Sequence, residues 1–245
     1  LGDVYKRQPL PLARFKSLQT ITLEGMPGND LSFLREAGPL QSITLSEMKD
    51  LTSFETLACM TSLKTLQSLT VKQCPALTSL QGLESAALLK RFTLEGADQL
   101  SDFSAMNGMQ SLQAFPGRYI REEIIDFSNF KTLNDIQFVA GLEAATSLKF
   151  NLTGRVDLSP LARLNNLHTV KLEFDTLDQD FSHLSRLREL DITLIDPKTG
   201  YTLSAAKKPK PEHQYLWSGE FPQLEKLEVS GGFHDMSQLQ APRLN

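Results

Sequence analysis

Apolar residues recur along the chain in the spacing Leu-x-x-Φ-x-Φ, where Φ stands for an apolar residue. The last two apolar residues of each segment alternate with a polar one, so they share one face of a short strand. Because such a strand cannot bury its face alone, stacked copies predict a parallel sheet over a continuous core. Residues 148–152 indicate a further strand, and Leu112 begins half of another copy. Seven clean copies of the pattern begin at Leu18, Leu40, Leu66, Leu89, Leu167, Leu187 and Leu224.

A second pattern, Asp-Φ-Ser-x-Φ, follows the strands and repeats with a period of about 23 residues. Its aspartate precedes a short turn and can accept hydrogen bonds from the free N–H groups there, as a helix N-cap does. Its two apolar residues, three positions apart, pack one side of a short helical or 3₁₀ turn inward. Each repeat is therefore one coil of strand, turn and short helix, and the tag begins at Asp30, Asp102, Asp126, Asp157, Asp180 and Asp235.

The two phased patterns resemble the leucine-rich repeat family, and "DLSPLARLNNL" from Asp157 is similar to the tag of bacterial internalins, whose repeats have about 22 residues. The resemblance implies an α/β solenoid, a curved horseshoe with a parallel β-sheet on its concave face. Short helices, 3₁₀ turns and loops would form the convex face. The asparagine ladder of the family is replaced by apolar residues, at Met26, Met48, Cys74 and Ala97.

The repeat domain is expected over residues 15–245, with about 9–10 repeats, irregular spacing at 115–147 and an inserted extended loop at about 207–220. Residues 1–14 are expected to be an adapter scar and an entry segment, because residues 1–8 resemble a translated sequencing adapter. We therefore expect a fragment of a longer bacterial, metagenomic protein, cut at both ends. The localisation stays open, with a lean toward the cytoplasm and with secretion or cell-surface display as alternatives.

Composition and motifs exclude several function classes. A net charge of −4 gives no electrostatic footprint for nucleic acid, and no apolar run is long enough to span a membrane. The four histidines are scattered, neither cysteine has a histidine at metal-ligand spacing, and no nucleotide-binding glycine motif occurs. We therefore expect no enzyme activity, no cofactor and no metal site.

What remains is a binding surface. Outward strand positions form columns across the sheet, and the central column begins with four threonines, although threonine also suits strands for its shape alone. We expect a protein partner on the concave face. A regulatory or targeting region of a larger effector or enzyme, and a glycan- or wall-binding adhesin, are the alternatives. The candidate contact residues are Thr22, Thr44, Thr70, Thr93, Glu24, Lys72, Arg91, Glu95, Lys171, Glu173 and Phe174 on strands, with Tyr215 and Trp217 in the inserted loop.

Overall fold

The computed structural model describes residues 12–58, 60–115, 124–130, 133–175, 180–195, 202, 214–231 and 233–244. The adapter-like residues 1–8 and residues 207–213 of the expected insertion lie outside these ranges. The described strands are β1 (Thr20–Glu24), β2 (Ser42–Ser46), β3 (Ser68–Lys72), β4 (Arg91–Glu95), β5 (Ile125–Asp126), β6 (Ser147–Leu152), β7 (Thr169–Phe174), β8 (Glu189–Leu194), β9 (Gln214–Glu220), β10 (Lys226–Ser230) and β11 (Phe233–Gln240).

The strands pair in parallel, in the order β1-β2-β3-β4 in one sheet and β10-β8-β7-β6-β5 in a second. Single bridges of Arg91 with Ala114 and of Phe115 with Ile125 join the two sheets. All seven strands that the sequence predicts are present, and so is the eighth, at β6. The solenoid with a parallel sheet is thus confirmed.

Within the described ranges every helix is a short 3₁₀ helix of three to five residues, the length at which this conformation usually occurs. These helices form the side of the solenoid opposite the sheets, which we call the helical side. They are η1 (Leu12–Arg14), η2 (Ser32–Glu36), η3 (Glu55–Leu57), η4 (Thr61–Thr65), η5 (Ser104–Gly108), η6 (Gln137–Gly141), η7 (Ser159–Arg163) and η8 (Ser182–Leu184).

The tag aspartates fix the start of these helices, one position earlier than a standard N-cap. Asp157 Oδ1 accepts the backbone N–H of Ser159 at 2.9 Å, and Asp30 and Asp180 accept that of the residue two positions later at 2.8 and 2.9 Å. Each bond satisfies a backbone donor that has no partner inside the helix. The capping role predicted for the tag is confirmed at these positions, with the aspartate just before the N-cap residue.

Two of the tags lie in strands instead. Asp126 is the last residue of β5, although its carboxylate still accepts the Ser128 N–H at 2.8 Å. Asp235 lies in β11, which pairs in parallel with β9.

Residues 214–220, the second half of the expected inserted loop, form the strand β9. The prediction of a loop is therefore wrong for this half.

The irregular segment contains a tag that the sequence pattern did not reveal. Asp135 Oδ1 accepts the N–H of Gln137 at 2.8 Å, and η6 follows as in the other repeats. The sequence "DIQFV" has glutamine where the other tags have serine, which hid the signal. Residues 116–123 and 131–132 of this segment lie outside the described ranges.

Between β4 and β6 the sheet has two narrow rungs, one at 114–115 and one at β5. Phe115 pairs with Ile125 although the two are ten positions apart (125 − 115 = 10), less than half a repeat. The core beneath these rungs contains a set of aromatic rings that we call the phenylalanine cluster. Its members are Phe92, Phe103, Phe115, Phe127, Phe130, Phe138 and Phe150.

Apolar residues occupy the positions of the asparagine ladder, as the sequence indicates. Met48, Cys74 and Ala97 are buried, and Met26 is half-buried against the same core. Burial raises the pKa of the Cys74 thiol, whose Sγ donates to the Lys72 carbonyl at 3.4 Å. The thiol is protonated at neutral pH and therefore chemically quiet.

Candidate interaction surface

The outward side chains of β1–β4 form three straight columns, because the four strands pair without a register shift. Thr22, Thr44, Thr70 and Thr93 stand opposite one another in the central column. The flanking columns contain Thr20, Ser42, Ser68 and Arg91 on one side, and Glu24, Ser46, Lys72 and Glu95 on the other.

This first half of the sheet face is hydroxyl-rich and carries its charge at the edges. Thr22 is exposed and the other three column threonines are half-buried, so their hydroxyl groups are accessible. Lys72 Nζ lies 3.6 Å from Glu95 Oε2, and both side chains are more than 40% exposed, at 47% and 42%. An ion pair this exposed adds little stability, which leaves both groups able to exchange partners.

The second half of the sheet face, on β5–β10, is charged. Its central column reads Asp126, Lys149, Lys171, Asp191 and Glu228 in register. Two cations thus lie between one anion on β5 and two anions on β8 and β10, so the sign of the charge changes twice along the column.

Short-range pairing organises these charges. Lys149 Nζ lies 3.6 Å from Glu173 Oε1, across adjacent strands. Lys226 Nζ lies 2.8 Å from Glu228 Oε1, and this hydrogen bond lowers the pKa of Glu228 and raises that of Lys226. Both groups are therefore charged at neutral pH.

The structure contradicts one predicted contact residue. Phe174 is buried, with 3% of its surface exposed, and its ring lies 6.1 Å from that of Phe181. The alternation of β7 explains this result, because Phe174 shares the inward face with Val170 and Leu172 while Lys171 and Glu173 point outward. Phe174 is a core residue and no candidate for a partner contact.

The two aromatic candidates in the expected insertion lie away from the sheet face. Tyr215 and Trp217 belong to β9, which pairs with β11 in a separate two-stranded sheet. Their part in binding stays a prediction, and the structure does not bring them together with the threonine column.

Comparison with solved structures identifies the architecture. Over 74% of this chain and 74% of the other, an internalin C2 of Listeria monocytogenes has 22% sequence identity and a TM-score of 0.50. The chain folds as an internalin-like leucine-rich repeat solenoid. An internalin of the same organism (14% identity, 89% of this chain and 69% of that chain, TM-score 0.41) and a Leptospira interrogans leucine-rich repeat protein (15%, 89% and 68%, 0.43) are also similar.

The comparisons describe the leucine-rich repeat fold and name no partner for this chain. No family model matches the sequence, and no curated protein matches it. In the ranges that the structure describes, no three His, Cys, Asp or Glu side chains are placed to hold a metal ion. None of the described helices is long and apolar enough to cross a membrane.

Proposed function

We propose that this leucine-rich repeat chain is a non-enzymatic module that binds a protein partner through the exposed, concave face of its sheets. The observation that supports this proposal is the unbroken register of outward columns across β1–β4 and again across β5–β10. A rigid, extended face of this kind is what solenoids offer to partners.

The two halves of the face suit different parts of one partner. The threonine column offers hydroxyl groups that donate and accept hydrogen bonds without charge. The column of Lys149, Lys171, Asp191 and Glu228 requires opposite charges in the matching order, which favours one docking register and rejects others. We therefore expect the charged half to set specificity and the neutral half to add area.

Paired charge and size changes on the sheet face test this function. Lys171→Glu with Asp191→Lys would exchange the signs at two neighbouring positions of the charged column, and Thr70→Arg with Thr93→Arg would obstruct the neutral half. The control is Lys64→Glu, an exposed position on η4 of the helical side. A partner would be captured by crosslinking to the unchanged protein and identified by mass spectrometry.

We expect at least one sheet-face pair to abolish capture of that partner, and the control to retain it. Circular dichroism would verify that each variant is folded. If both sheet-face pairs bind the partner as well as the unchanged protein does, the concave-face proposal is wrong.

A further inference from the structure

The helical side contains a groove of about 490 Å³ between η5 and η6. The two helices approach closely because Gly141 has no side chain to meet the Asn107 carbonyl oxygen, and the Ala144 N–H donates to the Gln110 carbonyl at 2.9 Å. The groove lies above this contact. Its volume falls within the range of small-molecule sites, about 300–1,000 Å³.

The groove has an aromatic floor. Phe138 is half-buried, and one side of its ring stacks on the buried Phe103, with ring centroids 5.4 Å apart and an interplanar angle of 26°. Because this stack and the edge contact with Phe127 at 5.3 Å fix the ring, Phe138 offers a rigid apolar surface. Such a surface can pack against C–H groups of a ligand at low entropic cost.

Planar polar groups surround that floor. The groove is lined by Gln137, whose Nε2 already donates to Asp157 Oδ2 at 3.0 Å, and by Asp102, Asp135, Asn107, Asn134 and Arg163. Carboxylates, amides and the guanidinium each have two hydrogen-bonding atoms in one plane. The two hydrogen-bonding atoms of one such group can bond to two neighbouring hydroxyl groups of a polyol.

The carboxylates are held in position before any ligand arrives. Asp102 accepts the Ser79 hydroxyl at 2.6 Å and the Ser104 N–H at 3.0 Å, and Asp135 accepts the Gln137 N–H at 2.8 Å. The bond from Ser79 lowers the pKa of Asp102, so the group is an ionised acceptor at neutral pH. Among the described residues, the side-chain amides of Asn107 and Asn134 have no hydrogen-bond partner in the protein.

The mixture of charges selects the class of ligand. Two carboxylates disfavour an anion, and the nearby Arg163 disfavours a cation, whereas all three groups can bond to hydroxyls. We propose that this groove is a binding site for a neutral saccharide, with hydroxyl groups on the planar side chains and a ring face on Phe138. The site is separate from the sheet face and does not depend on the function proposed for that face.

The experiment begins with the purified full chain on an array of immobilised neutral and acidic oligosaccharides. Neutral glycans should be retained and acidic ones should not. A retained glycan, added in soluble form, should shift the ¹⁵N–¹H signals of residues 101–107 and 134–140.

Two variants assign the binding to the groove. Ala140→Trp fills it without removing a polar partner and should abolish retention. Asn107→Ala with Asn134→Ala removes two free amides and should weaken binding about tenfold, as expected for the loss of one or two hydrogen bonds. Lys171→Glu, on the sheet face, should leave glycan binding unchanged.

The proposal is overturned if no neutral glycan binds above the level of Ala140→Trp, or if acidic glycans or basic peptides bind there instead. Glycan binding that is lost with Lys171→Glu and kept with Ala140→Trp would also overturn it. These outcomes can be interpreted even if the protein-partner proposal fails, since the two sites lie on opposite sides of the solenoid.

Discussion

The sheet of β1–β4 and the region around β5 differ in the side chains that fill the core beneath their strands. In β1–β4 the five-residue strands follow one another in unbroken register, and mainly leucine, isoleucine and valine fill the core beneath them. Around β5 two narrow rungs lie between β4 and β6, and the phenylalanine cluster fills the core beneath them. A repeat fold therefore tolerates an irregular coil when larger side chains restore close packing.

Truncation in the phenylalanine cluster should give the largest effect. Phe127 is fully buried and its ring stacks on that of Phe150, with centroids 5.3 Å apart and an interplanar angle of 7°. We expect Phe127→Ala to reduce the free energy of unfolding by about 3–5 kcal/mol, because it leaves a cavity in contact with several rings. Urea unfolding monitored by circular dichroism would measure the loss.

Leu69→Ala, at a fully buried position of β3, is the matched control in the regular region. The loss for Phe127→Ala should exceed the loss for this control. An equal or smaller loss would mean that the cluster collapses into the gap, and that the irregular region is packed more loosely than the regular one.

The contact between η5 and η6 should be the next most sensitive. In Gly141→Ala the new Cβ would overlap the Asn107 carbonyl oxygen, so the two helices must separate. We expect a cost of about 1–3 kcal/mol, as for other overpacked sites. Differential scanning calorimetry would record the lower Tm.

Arg163→Ala provides the comparison, since Arg163 ends η7 at the corresponding position and its side chain is exposed. This variant should change stability by no more than about 0.5 kcal/mol. Equal effects of the two changes would show that the close approach at Gly141 does not matter for stability.

A smaller effect of opposite sign is expected at the strand exits of β1–β4. The residue after each of these strands has positive φ, with Gly25 at 61°, Glu47 at 55°, Gln73 at 52° and Gly96 at 65°. This conformation costs a non-glycine residue about 1–2 kcal/mol, and glycine avoids that cost. Glycine also loses more backbone entropy on folding, which offsets part of the gain. Glu47→Gly should therefore stabilise the protein by about 0.5–1 kcal/mol in urea unfolding.

The reverse change, Gly25→Ala, should destabilise the protein, and only through its φ, because no atom lies within 4 Å of the position of the new Cβ. If Glu47→Gly destabilises instead, the Glu47 side chain contributes more than its backbone conformation costs.

The smallest effect concerns acid stability. The hydrogen bond from Ser79 holds the pKa of Asp102 below that of the unfolded chain, so the stabilisation is present above about pH 4. It is lost as the pH falls through the lowered pKa of the folded state. We call the fall in the free energy of unfolding at low pH the acid limb of the stability profile. Asp102→Asn should make this limb less steep in unfolding measurements from pH 2 to pH 7.

Ser79→Ala preserves the carboxylate and removes the largest cause of the shift. It should reduce the acid limb of the stability profile without abolishing it, because the Ser104 N–H still donates to Asp102. An acid limb that is unchanged in both variants would contradict the role of this bond.

Much of the fold follows from sequence because each repeat carries two phased signals. Register in β1–β4 could be predicted residue by residue, since the Leu-x-x-Φ-x-Φ segments align without gaps. The buried state of Phe174 was within reach as well, because strict alternation from Leu172 places it inward.

Other features could not be predicted from one sequence. Asp126 and Asp135 both head tag-like segments, yet Asp126 ends the short strand β5 whereas Asp135 precedes the 3₁₀ helix η6. Likewise "DMSQL" matches a helical tag but lies in β11, because the strand pairing with β9 outweighs a short local signal. The η5–η6 groove depends on a close approach between distant segments, which no local pattern records.

The buried thiol of Cys74 makes the regular half of the solenoid open to direct kinetic measurement. Only the thiolate reacts with alkylating agents, and burial suppresses it, so labelling requires a transient opening at the exit of β3. In a chain with Cys59→Ser, the alkylation rate of Cys74 would report how often this coil separates from its neighbours. The Cys74 sulfur atom can therefore report the rate of local unfolding of a single coil in a protein whose coils contact mainly their neighbours.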